Sequence, residues 1–106
     1  GQPEKAVGLI QEAIRANPEF CQGYRNLGLI HVEQGQLEQA KNSFEKMATK
    51  CPDAPEAQHG LGQVALKQGR AEDAKKAFAK CFSLAKEGAA FREECGKLSG
   101  LGGGGP

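Results

Sequence analysis

Residues 34–47 read QGQLEQAKNSFEKM and residues 68–81 read QGRAEDAKKAFAKC, one phrase written twice at a spacing of 34 residues. The identical positions are Gln34/Gln68, Gly35/Gly69, Glu38/Glu72, Ala40/Ala74, Lys41/Lys75, Phe44/Phe78 and Lys46/Lys80. The match continues upstream, where YRNLGLIHVEQG at 24–35 lies over QHGLGQVALKQG at 58–69 and sets Leu27-Gly28 over Leu61-Gly62. One period further back, Gly1, Glu4, Ala6, Ile10, Ala13 and Pro18 stand where Gly35, Glu38, Ala40, Phe44, Met47 and Pro52 stand. The expectation is therefore a chain that opens in the second half of an earlier unit. A unit this short cannot bury its apolar face alone, so each copy completes its neighbour.

Each full unit divides into two helical halves. Tyr24, Leu27, Gly28 and His31 follow i, i+3, i+4, i+7 spacing, and Leu37, Ala40, Phe44 and Met47 keep to one helical face. Gly35 and Gly69 fall between halves, where a tight turn favours a residue free of Cβ strain. Pro18 and Pro52 close the second halves, because proline ends a helix or begins the next. β-branched residues are few and nothing alternates for long, so strands are not expected. The spacing predicts helices over 3–16, 19–34, 37–50, 55–68, 71–87 and 89–99.

Gly28 and Gly62 lie in mid-helix, where glycine costs about 1 kcal/mol against alanine. That cost is consistent with close approach of a neighbouring helix, with Ala40 and Ala74 as its small counterparts. Phe44 and Phe78 then fill the next gap.

Bulk properties narrow the function. The chain has 106 residues, 25% of them charged and 39% hydrophobic, which suits one soluble globular domain. A net charge of +1 gives no reason to expect nucleic acid or an anionic membrane. No apolar run approaches the ~20 residues that span a bilayer, so membrane insertion is not expected. There is no charged-then-apolar leader, and the start at Gly1 rather than Met implies a piece of a longer protein. Cytoplasmic location is the expectation.

Cys21, Cys51, Cys81 and Cys95 include no Cys-x-x-Cys pair, so they read as reduced, half-buried apolar residues. A thiol-based metal or redox function is disfavoured by that spacing. GLGQVA at 60–65 fits G-x-G-x-x-A but follows no strand, which removes the nucleotide reading. His31 and His59 sit on different units with no carboxylate or cysteine at ligand spacing, so neither is assigned a catalytic or metal role. EDAKKAFAK at 72–80 reads as a solvated face with local ion pairs. No catalytic residue, cofactor or metal ion is expected.

The pattern resembles the tetratricopeptide repeat family, carried by Tyr24, Leu27-Gly28, Gly35, Ala40, Phe44, Met47 and Pro52, then Leu61-Gly62, Gly69, Ala74 and Phe78. The resemblance covers residues 1 to about 88. It implies an all-α fold of antiparallel helix pairs stacked in a right-handed solenoid. The expected organisation is a solenoid over 1–99: the second helix of a truncated repeat (1–17), full repeats at 18–52 and 53–88, and a capping helix at 89–99. A flexible glycine-rich tail follows at 100–106. His31 and Ala65 stand where the family commonly has an aromatic, Gln58 where a large residue is usual, and Lys86 where a proline closes the repeat. The last two imply a looser final repeat and a longer fifth helix reaching Gly88. In the capping helix, Phe91, Cys95 and Leu98 would cover the end of the stack, leaving Arg92, Glu93, Glu94 and Lys97 outward.

In the resembled family the first helices of successive repeats line a concave groove for a peptide or partner helix. Carried over by position, the lining here is Gln22, Arg25, Asn26, Leu29, Val32 and Glu33. The next repeat supplies Glu56, His59, Gly60, Gln63, Leu66 and Lys67. Each of these could equally be the solvent side of an amphipathic helix. One branch of the family grips a chaperone's C-terminal carboxylate with Lys, Asn and Arg. Asn26 matches one such position, but Glu56 and Gly60 stand where cations are required, which argues against that clamp. The resemblance thus implies a non-enzymatic protein-interaction scaffold. The alternative is the non-catalytic recruiting arm of a larger enzyme or assembly complex.

Overall fold

The computed structural model describes residues 1–89 and 91–100. Among them are six helices and no strand: α1 (Gln2–Ala16), α2 (Cys21–Glu33), α3 (Leu37–Lys50), α4 (Pro55–Lys67), α5 (Ala71–Leu84) and α6 (Arg92–Ser99). Each helix packs on the next in chain order, and α2 also touches α4, so first helices stack beside first helices. This is an all-α helical repeat, 47 Å along its longest axis and 20 Å along its shortest.

The two hairpin turns are the same structure made twice. Gly35 and Gly69 both have φ of +75°, left-handed backbone that a Cβ would strain. At the first turn Gly35 N–H donates to Val32 O at 3.0 Å and Gln36 N–H to His31 O at 2.8 Å. At the second, Gly69 N–H donates to Leu66 O at 3.1 Å and Arg70 N–H to Ala65 O at 2.9 Å. These are paired Schellman bonds, which satisfy the last carbonyls of the helix and reverse the chain. His31 Nδ1 pairs with Gln36 Oε1 at 2.8 Å across the first of them. That histidine serves the turn.

The core runs along the stack in three clusters. Tyr24, Met47 and Ala57 form one, with Ile14 and Ala48 packed against it. Ala40, Phe44 and Val64 form the next, and Ala65, Ala74, Phe78, Cys81 and Cys95 the third. The Tyr24 hydroxyl, brought inward with its ring, donates to Pro18 O at 2.9 Å, so it is not left unsatisfied.

The groups nearest the mid-helix glycines are the phenylalanine rings, where the spacing predicts Ala40 and Ala74 as the small counterparts. A Cβ on Gly28 would lie 2.5 Å from Phe44 Cζ, and one on Gly62 would lie 2.6 Å from Phe78 Cζ. The phenylalanine ring itself occupies the space that glycine leaves.

Two further expectations are corrected. The fifth helix ends at Leu84 and does not reach Gly88. Ala85 is extended, its carbonyl accepts from Arg92 Nε at 3.1 Å, and Gly88 turns the chain with φ of +87°. The helix thus ends one period after Lys50 closes α3, and a hydrogen bond from α6 meets the chain just beyond it. The cysteines are not free thiols. Cys21 is disulfide-bonded to Cys51 and Cys81 to Cys95, with Cα separations of 6.3 Å and 5.9 Å. Cys21 opens α2 and Cys51 follows α3, so the antiparallel hairpin brings both to its open end. Cys81 and Cys95 join α5 to α6.

The capping helix begins at Arg92, three residues later than the spacing predicts. Cys95 is fully buried, Phe91 is half-buried, and Leu98 stays 36% exposed. The expected flexible tail falls, beyond Gly100, outside the described residues.

Candidate functional site

The groove positions inferred from the repeat register lie on α2 and α4, the adjacent first helices. Gln22, Glu33 and Lys67 are exposed, while Arg25, Asn26 and Glu56 are half-buried. Leu29 and Leu66 are 42% and 44% exposed, large apolar side chains presented to solvent. Leu29 lies four residues after Arg25 and three after Asn26, which places an apolar contact beside hydrogen-bond donors on one helix face. Asn26 Oδ1 accepts from Gln22 Nε2 at 3.1 Å, fixing the amide without burying it. Such a surface can exchange water for a peptide backbone and hold one or two apolar side chains.

Several lining positions have other work. Val32 packs against the Phe44 cluster. Gly60 is buried, and a Cβ there would stand 2.4 Å from Phe44 Cδ1, so it is a packing residue. His59 and Gln63 both hold Glu94 of α6: His59 Nε2 lies 3.1 Å from Oε2, and Gln63 Nε2 donates to Oε1 at 3.0 Å. The His59 ring also lies 5.1 Å from the Phe91 ring and 6.1 Å, edge-on, from Phe78. His59 is thus a joint between α4, α5 and α6. It is not a free groove donor.

Arg92, expected to point outward, stacks over the Phe82 ring at 4.1 Å and helps seat α6. Reasoning from sequence missed the Glu94 and Arg92 contacts because the exact start of α6 decides which face they occupy. The cysteine pairing carried a legible signal, since Cys21 and Cys51 occupy the first and last positions of one hairpin.

Among the described residues no cluster of His, Cys, Asp or Glu side chains could hold a metal ion. All four cysteines are consumed in disulfides and offer no thiolate ligand. No described helix is long and apolar enough to cross a membrane.

Two family models described as tetratricopeptide repeat match, one over residues 31–81 and one over residues 9–42. A search of curated protein sequences gave no significant match. Among solved structures, the chain is similar to the Yersinia enterocolitica type III secretion translocator chaperone SycD, with a TM-score of 0.80 and 19% identity over 94% of this chain and 69% of that one. SycD in complex with a peptide of the translocator YopD is similar with a TM-score of 0.82 and 19% identity, covering 94% of this chain and 76% of that one. An alternative dimer of SycD gives 0.82 at 20% identity with the same coverage. At these identities the likeness is one of fold.

Proposed function

This chain belongs to the tetratricopeptide repeat family, and from that premise we propose that it is a non-catalytic scaffold binding a peptide or partner helix on the α2–α4 face. The observation that carries the reading is the pairing of exposed Leu29 and Leu66 with the polar side chains of Arg25 and Asn26 on adjacent first helices. The bound translocator peptide of SycD supports the class of ligand. His59 and Gln63 contribute by holding α6 in place, so the free recognition surface is shorter than the sequence register implies. Positions Glu56 and Gly60 offer no cation for a terminal carboxylate, which directs the reading toward internal peptide segments.

The expected cytoplasmic location rested on the lack of a leader and of an apolar span, and no described helix is long and apolar enough to cross a membrane. The two bonded cysteine pairs are the one feature that favours an oxidising compartment, because disulfides persist there and are reduced in the cytosol.

The test is capture of a partner on immobilised protein. Arg25→Ala with Asn26→Ala should weaken capture by a few kcal/mol, the usual loss when a central hydrogen-bonding residue goes. Lys46→Ala with Lys75→Ala, on exposed parts of α3 and α5, should change it by about 0.5 kcal/mol or less. Capture that survives the first pair and fails with the second would refute the concave-face assignment.

A further inference from the structure

The opposite side of the stack carries a cleft between α3 and α5, across the back of α4. The stretch nearer the α4–α5 turn is an open cleft of about 270 Å³. A second, shallower stretch nearer the C-termini of α3 and α5 spans about 470 Å³, and Gln58 and Lys80 line both.

The repeat register explains why the space is open. In the first unit the position of Gln58 belongs to Tyr24, only 7% exposed and clustered with Met47 and Ile14. One period later Tyr24 becomes Gln58 and Ile14 becomes Ala48. A ring and a branched side chain are thus lost from one cluster, and α3 and α5 do not close over the vacancy. The floor that remains is apolar, formed by Leu61, Val64 and Ala77.

Its walls are positively charged. Lys41 lines it from α3, and Arg70, Lys76 and Lys80 from the α5 side, against two carboxylates, Glu45 and Asp73. Among the described residues none of these four cations is in an ion pair. Of the acids nearby, Glu38 accepts at 2.7 Å from Gln68, which lines the cleft, and Glu72 pairs with Lys75 at 3.8 Å, so cations still outnumber carboxylates along it. An apolar floor between unpaired cations is complementary to an apolar anchor flanked by acidic side chains.

We propose that the α3–α5 cleft is a second docking surface, which takes an acidic peptide segment inserting one large apolar side chain beside Gln58. The anchor stands where the Tyr24 ring stands one repeat earlier, and the flanking carboxylates meet Lys41, Lys76 and Lys80. This surface is independent of the α2–α4 face and does not require that face to bind anything.

The experiment uses two short fluorescein-labelled peptides, each with a central Phe, one flanked by Glu and one by Lys. Fluorescence anisotropy with the intact chain should show binding of the Glu-flanked peptide that weakens with added salt, and binding of the Lys-flanked one about tenfold weaker or less. Lys76→Glu with Lys80→Glu should weaken the first about tenfold. Gln58→Trp, which refills the gap, should do the same without lowering Tm. Should Gln58→Trp fail to fold, the two exposed lysines still decide the matter. Arg25→Ala with Asn26→Ala should leave this binding unchanged. Equal affinity for both peptides, no binding of either, or indifference to the lysine reversals would overturn the proposal. So would loss of binding with the Arg25 and Asn26 variant alone, since the peptide would then lie on the concave face.

Discussion

The Phe44 ring lies directly on the backbone of Gly28, so close that a Cβ on that glycine would stand 2.5 Å from the ring. The same ring meets Gly60 of the next repeat, where a Cβ would stand 2.4 Å away. Phe44 is therefore held between the first helix of its own repeat and the first helix of the one that follows. A single aromatic side chain fixes both the hairpin and the stacking of one hairpin on the next.

Substitution of Gly28, and of Gly62 where the Phe78 ring makes the same contact, tests this relationship. Gly28→Leu and Gly62→Leu should each destabilise by about 1–3 kcal/mol through overpacking. Gly60→Ala should do so as well, although sequence register put that residue in the groove. Denaturant midpoints unchanged from the parent would show that the rings move aside freely.

Removal of the rings should cost more. Phe44 and Phe78 are 1% and 0% exposed, and truncation to alanine should destabilise by about 3–5 kcal/mol each. That is a large part of the stability of a small domain. Helical circular dichroism against denaturant reads the effect directly.

The two disulfides should differ in their response to reductant. Cys21 and Cys51 are half-buried, whereas Cys81 and Cys95 are 0% exposed between α5 and α6. A soluble thiol should reach the first pair in the folded state and the second only when α6 opens. Timed alkylation with mass spectrometry should find Cys21 and Cys51 modified first. Loss of the Cys81–Cys95 bond, which closes a separation of 14 residues, should cost about 3 kcal/mol and release the eight-residue α6 before the rest. Simultaneous modification of all four cysteines would contradict the seating of α6 described above.

Hydrogen exchange should separate α1 from α3. No residue of α1 is buried and Leu9 is 68% exposed, while α3 buries Ala40, Ser43, Phe44 and Met47. Amides of residues 2–16 should exchange at least about tenfold faster than those of residues 37–50. Equal protection would mean that α1 is held by a contact outside those described, such as a second copy of the chain.

The sequence by itself determined the helical halves, their turns and the buried rings. These follow from signals written at one period: Gly35 and Gly69 must take left-handed backbone, and Phe44 and Phe78 must leave water wherever the chain folds. What lay beyond it was set by contacts between elements of different registers. Lys86 in place of a proline leaves α5 free to extend, yet the helix stops at Leu84 and the Ala85 carbonyl beyond it is bonded by Arg92. His59 and Gln63 stand at groove positions, yet Glu94 of α6 takes both. Gly60 reads as lining until the Phe44 ring is placed beside it. Tertiary structure alone decided these, and the physical reason is common to them. Local spacing specifies which side of a helix leaves water, but only the packing of the next helix decides which polar groups on the other side remain free to meet a partner.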